Sequence, residues 1–193
     1  MEPSFKFIRV RDVQVPTRAN AGDAGMDFYV PNDLRLEDLS KCNIINTYLV
    51  DRIPTNSSSD VFVIIKGNSI EHFYINAHST CIIPSGILGI LEPEASMLQA
   101  NDKSGVSSKK KLKVTASIID SPYTGEIHHV VFNTTNKPVR IDLGEKLVQY
   151  IHIPIYLTQP EEINMSEFEK LKTEKELKSG RGSDGMGSGK ETL

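Results

Sequence analysis

The chain has no tryptophan, only two cysteines and no long apolar run. Cys42 and Cys81 are too few for a disulfide framework or a cysteine zinc site. The longest apolar runs are short, as in Val61–Ile65, against the roughly 20 residues that a membrane-spanning helix needs. The opening Met1-Glu2-Pro3-Ser4 has neither the basic nor the apolar region of a signal peptide. An excess of one charge is also missing. The net charge is −3 over 193 residues, so no global basicity points to nucleic acid or to a membrane surface. These shortages predict a cytoplasmic protein with no nucleic-acid and no membrane partner. The length suffices for one domain with a substantial core.

What is present reads as mainly β. Short apolar or alternating runs are punctuated by Gly, Pro, Asn and Asp. The predicted strands are Phe5–Val10, Met26–Val30, Val61–Lys66, His72–Ile75, Thr80–Ile83, Leu88–Leu91, Ser96–Gln99, Leu112–Ile119, Glu126–Asn133, Val139–Asp142 and Lys146–Pro154. Their spacing suggests an all-β barrel, sandwich or prism. One helix is expected late, where Ser166 and Glu169 have capping-box spacing and good helix formers continue to Lys178. Residues 1–178 then form the β domain. Within it, 38–76 holds polar clusters around one strong strand. Residues 179–193 are rich in Gly and Ser and form a flexible arm.

Five short pieces carry chemistry. Ala24-Gly25-Met26-Asp27 places small residues just before a carboxylate, where a backbone can pass close to something. Lys103-Ser104-Gly105 offers an ammonium, a hydroxyl and glycine amides to a phosphate chain. The lysines from Lys109 to Lys113 read as a solvated face. The third piece is Ala116 to Gly125. An apolar run delivers Asp120 to a turn, and Tyr123 follows. A carboxylate there tends to be desolvated, which suits a base, and the ring offers a flat face to a sugar or nucleobase. Gly144 to Gln149 sets one amide in an apolar run, so Gln149 needs neighbours or a ligand as partners. Arg181 to Gly189 combines one cation, several glycines and two hydroxyls, a flexible anion-binding flap. His128 and His129 are adjacent on a strand, face opposite sides and read as structural rather than as zinc ligands.

Taken together and in this order, the pieces resemble the trimeric dUTP diphosphatase (dUTPase) family. Its motifs run Ala-Gly-x-Asp, Arg-Ser-Gly, Ile-Asp-x-x-Tyr-x-Gly, Gly-x-x-x-x-Gln and Arg-Gly-x-Gly-Gly-Phe-Gly-Ser. The match spans Ala24 to Gly189, with the third and fourth motifs specific and the second and fifth degraded. The resemblance implies a jelly-roll-like β subunit in a homotrimer, with a mobile arm and with sites built from three chains. It implies Mg²⁺-dependent cleavage of dUTP to dUMP and pyrophosphate, which keeps uracil out of DNA and supplies dUMP for dTMP synthesis. By the same resemblance Asp120 activates the water that attacks the α-phosphorus, and Tyr123 underlies the deoxyribose. A hairpin of Val114, Thr115, Ala116, Ser117 and Ile118 reads uracil, mainly through its backbone. Asp27 meets Mg²⁺ through bound water. Lys103, Ser104, Gly105 and Gln149 contact phosphates. Arg181, Gly182, Met186, Gly187 and Ser188 belong to the closing flap.

Departures from the family pattern fall on substrate closure. Lys103 stands where arginine is usual and supplies charge without a bidentate fork. Met186 stands for the phenylalanine that covers uracil. Asp184 replaces a glycine and brings negative charge near a triphosphate. The stretch 38–76 is longer than the family needs. It is expected to be a surface elaboration, with Val61–Ile65 and Phe73–Ile75 paired as an added hairpin. Such an insert resembles those of phage members and offers a surface to a partner protein. Two rival functions remain. A dCTP deaminase, or a bifunctional deaminase and dUTPase, would need a glutamate ten residues past Asp120. Val130 stands there, and Glu126 would be displaced by more than about 10 Å along a strand. A trimeric scaffold that binds a nucleotide or partner without useful turnover has no need of Asp27, Asp120, Tyr123, Gln149 and Arg181 together.

Overall fold

The computed structural model describes residues 2–49 and 58–179. The chain divides into two units, Met1–Tyr156 and Leu157–Leu193. In chain order the first unit holds β1 (Ser4–Arg9), β2 (Met26–Tyr29), α1 (Leu36–Ser40), β3 (Ile45–Tyr48), β4 (Val61–Lys66), β5 (Ser69–Ile75), β6 (Thr80–Glu92) and β7 (Ser96–Asp102). There follow α2 (Ser104–Lys110), β8 (Leu112–Val114), β9 (Ile118–Asp120), β10 (Glu126–Asn133), β11 (Val139–Asp142) and β12 (Lys146–Pro154). Three four-stranded sheets result, ordered β1-β6-β10-β8, β11-β5-β4-β3 and β2-β12-β7-β9.

Alternation builds the core. Along β10, Ile127, His129, Val131 and Asn133 are buried and the residues between them are not. Asn133 is tolerated inside because every donor and acceptor is met. Its amide donates to the carbonyls of Ile75, Asn76 and Lys137, and its oxygen accepts from Thr135. The two runs predicted around Gly86 are one strand, β6. Gly86 sits at φ +74°, and an added Cβ there would lie 2.8 Å from Val13 Cγ1. The glycine lets the strand bulge and turn without ending.

Residues 38–76 depart from the expectation of a surface elaboration. The hairpin forms, with Val63 opposite Phe73 and Val61 opposite Ile75. Those four side chains, however, lie in the main core, and β5 continues the sheet to β11. The other face of β4 and β5 is buried too, by Phe62, Ile64 and Tyr74 with Tyr48 against them. A strand covered on both faces loses polar alternation, as Val61–Ile65 does. At the start of this stretch Asp38 accepts from the Arg35 backbone N–H (3.0 Å) at the head of α1 and pairs with Arg11 (2.9 Å).

The second unit is helix α3 (Met165–Ser179) with the segment before it. Its cap is Asn164 rather than Ser166: the Asn164 Oδ1 accepts from the Glu167 N–H at 3.0 Å. Among the described residues no helix is long and apolar enough to cross a membrane.

Candidate active site

Asp27 is the centre of one cluster. It lies on β2 just before two core residues, Phe28 and Tyr29, and the partner strand β12 sets Gln149 opposite it. Asp27 is only 4% exposed. Lys103 donates to its Oδ1 at 2.8 Å, and the Lys146 ammonium stands 3.0 Å from Oδ2, out of line for a hydrogen bond. Burial by itself would raise the Asp27 pKa. The hydrogen bond from Lys103 and the two ammonium charges outweigh that and hold it below the usual carboxylate range. Lys146 also lies over the Tyr29 ring, 5.7 Å from its centre.

Gln149 finds its partners inside the chain. Its Nε2 donates to the Asp102 carbonyl at 2.8 Å. Its amide oxygen lies so close to Gly25 that an added Cβ there would come within 2.7 Å of it. This is the physical reason for a glycine ahead of Asp27. Lys103 leads into α2, whose first residues, Ser104 and Gly105, are exposed. A Cβ on Gly105 would meet nothing within 4 Å.

The third motif is built differently from the expected hairpin. β8 pairs with β10, and β9 pairs with β7. The segment between them, Thr115–Ser117, is therefore a crossover from one sheet to another. The two strands do not pair with each other, and each ends its own sheet. The Val114 N–H goes to Asp102 Oδ1 (2.8 Å), the Thr115 N–H to the Val130 carbonyl (3.0 Å), and the Ser117 carbonyl accepts from Ala100 N–H (2.7 Å). The N–H and C=O of Ala116 and the N–H of Ser117 have no partner among the described residues. Ile118 pairs with Gln99 and is 57% exposed.

Asp120 ends β9 opposite Met97. Contrary to the expectation of a desolvated carboxylate, it is exposed in the single chain, because β9 is an edge strand with nothing beyond it in its sheet. The Tyr123 N–H closes a turn onto the Asp120 carbonyl at 3.0 Å. The Tyr123 hydroxyl donates to the Glu126 carbonyl at 2.8 Å. The ring lies on Gly125, where a Cβ would come within 2.7 Å of the ring carbon Cζ. It is 45% exposed, so it is held in place and still open on one side. Glu126 behind it is locked by Arg11 Nε (2.7 Å) and the Gly86 N–H (2.8 Å). A carboxylate so engaged is no free acid or base, which leaves the deaminase reading without a group.

The two clusters stand apart within one chain. Gln149 is opposite Asn101 on β7, and Asp120 is opposite Met97 on the same strand. Those positions are about 13 Å apart along a strand. Asp27, Lys103 and Gln149 thus come together, and Asp120 and Tyr123 do not join them. Arg181, Gly182, Met186, Gly187 and Ser188 lie outside the described residues. His128 and His129 do face opposite ways, and His129 is buried against Tyr150 Oη at 3.1 Å. Four members of the network had almost no signal in the local pattern: Lys146, Asp102, Arg11 and Glu126. Each acts through a partner far away in sequence. Only the position of Lys146 inside the Gly144–Gln149 piece pointed to it.

Among the described residues, magnesium fits as a hydrated ion. No group of three His, Cys, Asp or Glu side chains able to hold a metal ion occurs among the described residues. An all-protein cage is therefore absent there. Asp27 Oδ2 is buried with the Lys146 ammonium 3.0 Å away and poorly aligned, an acceptor suited to a water on an ion that keeps its hydration and takes its other ligands from phosphates.

The dUTPase family model matches residues 68–185. A deoxyuridine 5′-triphosphate nucleotidohydrolase of Clostridioides difficile is 27% identical over 177 residues, covering 91% of this chain and 92% of the relative. The Staphylococcus bacteriophage 80alpha dUTPase with dUPNHPP has the same fold, with a TM-score of 0.63 at 19% identity, covering 97% of this chain and 98% of that one. A mutant dUTPase from phage phi11 of S. aureus, which coordinates a structural Mg(II) ion, has a TM-score of 0.58 at 15% identity, covering 83% and 97%.

Proposed function

The chain belongs to the dUTPase family, and we propose that it hydrolyses dUTP to dUMP and pyrophosphate at sites shared between subunits of a homotrimer. The observation that carries the shared-site reading is the separation along β7. Asp27, Lys103 and Gln149 gather at one end, and Asp120 with Tyr123 stands at the other, exposed on an edge strand. Each half is incomplete. A junction at which one subunit's Asp120 turn meets the next subunit's Asp27 cluster supplies both halves, and it buries an aspartate that one chain leaves open.

The chemistry follows from these residues. Asp120 takes the proton of a water as the water oxygen attacks the α-phosphorus. The bond to the bridging oxygen breaks, and pyrophosphate leaves with that oxygen. The Tyr123 face, fixed by Gly125 and by the Glu126 carbonyl, underlies the deoxyribose and leaves a 2′-hydroxyl without room or partner. The free backbone groups at Ala116 and Ser117 read the uracil edge. Val114 and Thr115 hold the crossover in place, since their N–H groups are already engaged. Lys103, Lys146, Ser104 and Gly105 face the triphosphate, with Gln149 beside them. Asp27 would hold Mg²⁺ through water, and the ion would supply charge neutralisation of the triphosphate. A triphosphate would compete for both lysines that Asp27 now holds. The Arg181–Ser188 piece is assigned to a closing flap by its motif alone, and its removal should cut turnover.

The test is a substrate panel. Purified protein with Mg²⁺ should release pyrophosphate from dUTP, and far less from dCTP, dTTP or UTP. Chelation by EDTA should suppress the reaction. No pyrophosphate from dUTP would end this reading, and ammonia from dCTP would replace it with deamination.

A further inference from the structure

Asp102 ends β7, the strand that separates the two halves of the site. Its three acceptor atoms hold two other strands, β8 through the carboxylate and β12 through the carbonyl. Oδ1 accepts from the Val114 N–H at 2.8 Å, Oδ2 from the Lys113 ammonium at 2.7 Å, and the carbonyl from Gln149 Nε2 at 2.8 Å. Val114 is the last residue of β8 before the Thr115–Ser117 crossover. β8 itself pairs with β10 over only three residues. A strand that short is weakly registered, and its Val114 N–H points away from β10 to the open edge of β8, because the next N–H, of Thr115, is the one that reaches the Val130 carbonyl. The Asp102 carboxylate takes the place of that missing ladder acceptor. An ionised acceptor holds an N–H more firmly than a neutral one. The same residue's carbonyl sets which way the Gln149 amide points.

We propose that Asp102 is a positioning residue for substrate selection, fixing the base-reading crossover through Val114 and the phosphate-side amide through Gln149. This rests on the dUTPase reading above. Asp102 has no role in bond making. Its work is to keep the open backbone groups of Ala116 and Ser117 in one place, so that an exocyclic amine in place of the uracil oxygen finds the wrong partner. Lys113 is more than half exposed, so its ion pair steadies the Asp102 rotamer and contributes little else.

The experiment compares Asp102→Ala, Asp102→Asn, Asp102→Glu and Lys113→Met in the full-length chain. Two readouts are taken well below each variant's melting temperature. The first is amide hydrogen exchange at Val114–Ser117 without nucleotide. The second is kcat and KM on dUTP and on dCTP. Asp102→Ala should speed exchange at Val114 and raise KM for dUTP about tenfold, the effect of one lost charge-assisted hydrogen bond. The preference for dUTP over dCTP should fall by a similar factor, about tenfold, with kcat nearly unchanged. Asp102→Asn keeps an oxygen at the same reach without the charge and should recover most of both readouts. Asp102→Glu keeps the charge but overreaches by one methylene, so it should resemble alanine. It serves in alanine's place if that variant does not fold. Lys113→Met should match the parent chain. An unchanged preference in Asp102→Ala or Asp102→Glu, with the parent active on dUTP, overturns the proposal alone. So does an asparagine variant as impaired as alanine. A parent chain inactive on dUTP overturns the function beneath it, and the exchange data identify that case separately.

Discussion

Two glycines in this chain have opposite reasons for lacking a side chain. At Gly125 a Cβ would strike the Tyr123 ring, so the chain itself forbids it; at Gly105 a Cβ would meet nothing within 4 Å. Gly105 lies in the first turn of α2, where alanine favours the helix by about 1 kcal/mol over glycine. Gly105→Ala should therefore raise the melting temperature while weakening dUTP binding, because the methyl would stand where the phosphate chain approaches. A melt and a calorimetric titration on one preparation check both signs together, and unchanged affinity would remove Gly105 from the site. Asp120 calls for the complementary measurement. Asp120→Asn keeps the shape and loses the base, so turnover should drop by about 10²–10⁴. Affinity for a non-hydrolysable dUTP analogue should stay within a few-fold of the parent. Lost binding would mean that Asp120 holds substrate instead of activating water.

Strand β10 shows what packing adds to pattern. Its alternation places His129 among Phe28 and Tyr150, and burial pushes the imidazole pKa down to about 4, against a weaker upward pull from the Tyr29 backbone. Above pH 6.5 both the folded and the unfolded chain carry His129 neutral, and nothing is lost. Between 6.5 and about 4 the unfolded chain binds a proton that the folded chain refuses, so stability falls with pH. The loss from this one residue is on the order of 3 kcal/mol by pH 4. His129→Phe should flatten the decline in that window, read from urea melts at several pH values, while Tyr150 keeps its bond to the His128 carbonyl. The alternation that creates this site was legible in the sequence, as were β4, β11 and β12 with their bounds. The partners were not. Leu112–Ile119 reads as one strand because its residue types do not reveal that it changes sheets at Ala116. The helix Ser104–Lys110 is missing from the elements expected of the sequence because one so short gains little from propensity. Asp27, Gln149 and Asp120 were visible through residue type and spacing. Asp102 and Lys146 were not, because their significance lies in atoms 12 to 119 positions away.

At the scale of the whole molecule, the separation along β7 makes a prediction that no single chain can satisfy. If a working site takes Asp27 from one subunit and Asp120 from another, two different dead variants should rescue each other. Asp27→Asn breaks the cluster that holds Lys103 and Lys146, and Asp120→Asn removes the base at the far end of β7. Each homotrimer should be inactive at every junction. When the two are unfolded together and refolded in equal amounts, about a quarter of the junctions receive an intact Asp27 half and an intact Asp120 half, given cyclic threefold assembly. Activity should then return to roughly that fraction of the parent's, and it should vanish again if each variant is refolded alone and mixed afterwards. Asp27 is buried, so Gln149→Ala serves as a second break; it removes a group from the same end of β7 and gives the same arithmetic. Sedimentation should show a trimer in every case. Trimers of both kinds that never regain turnover on co-refolding would place Asp27 and Asp120 in one chain's site and overturn the shared-site reading that the separation along β7 supports.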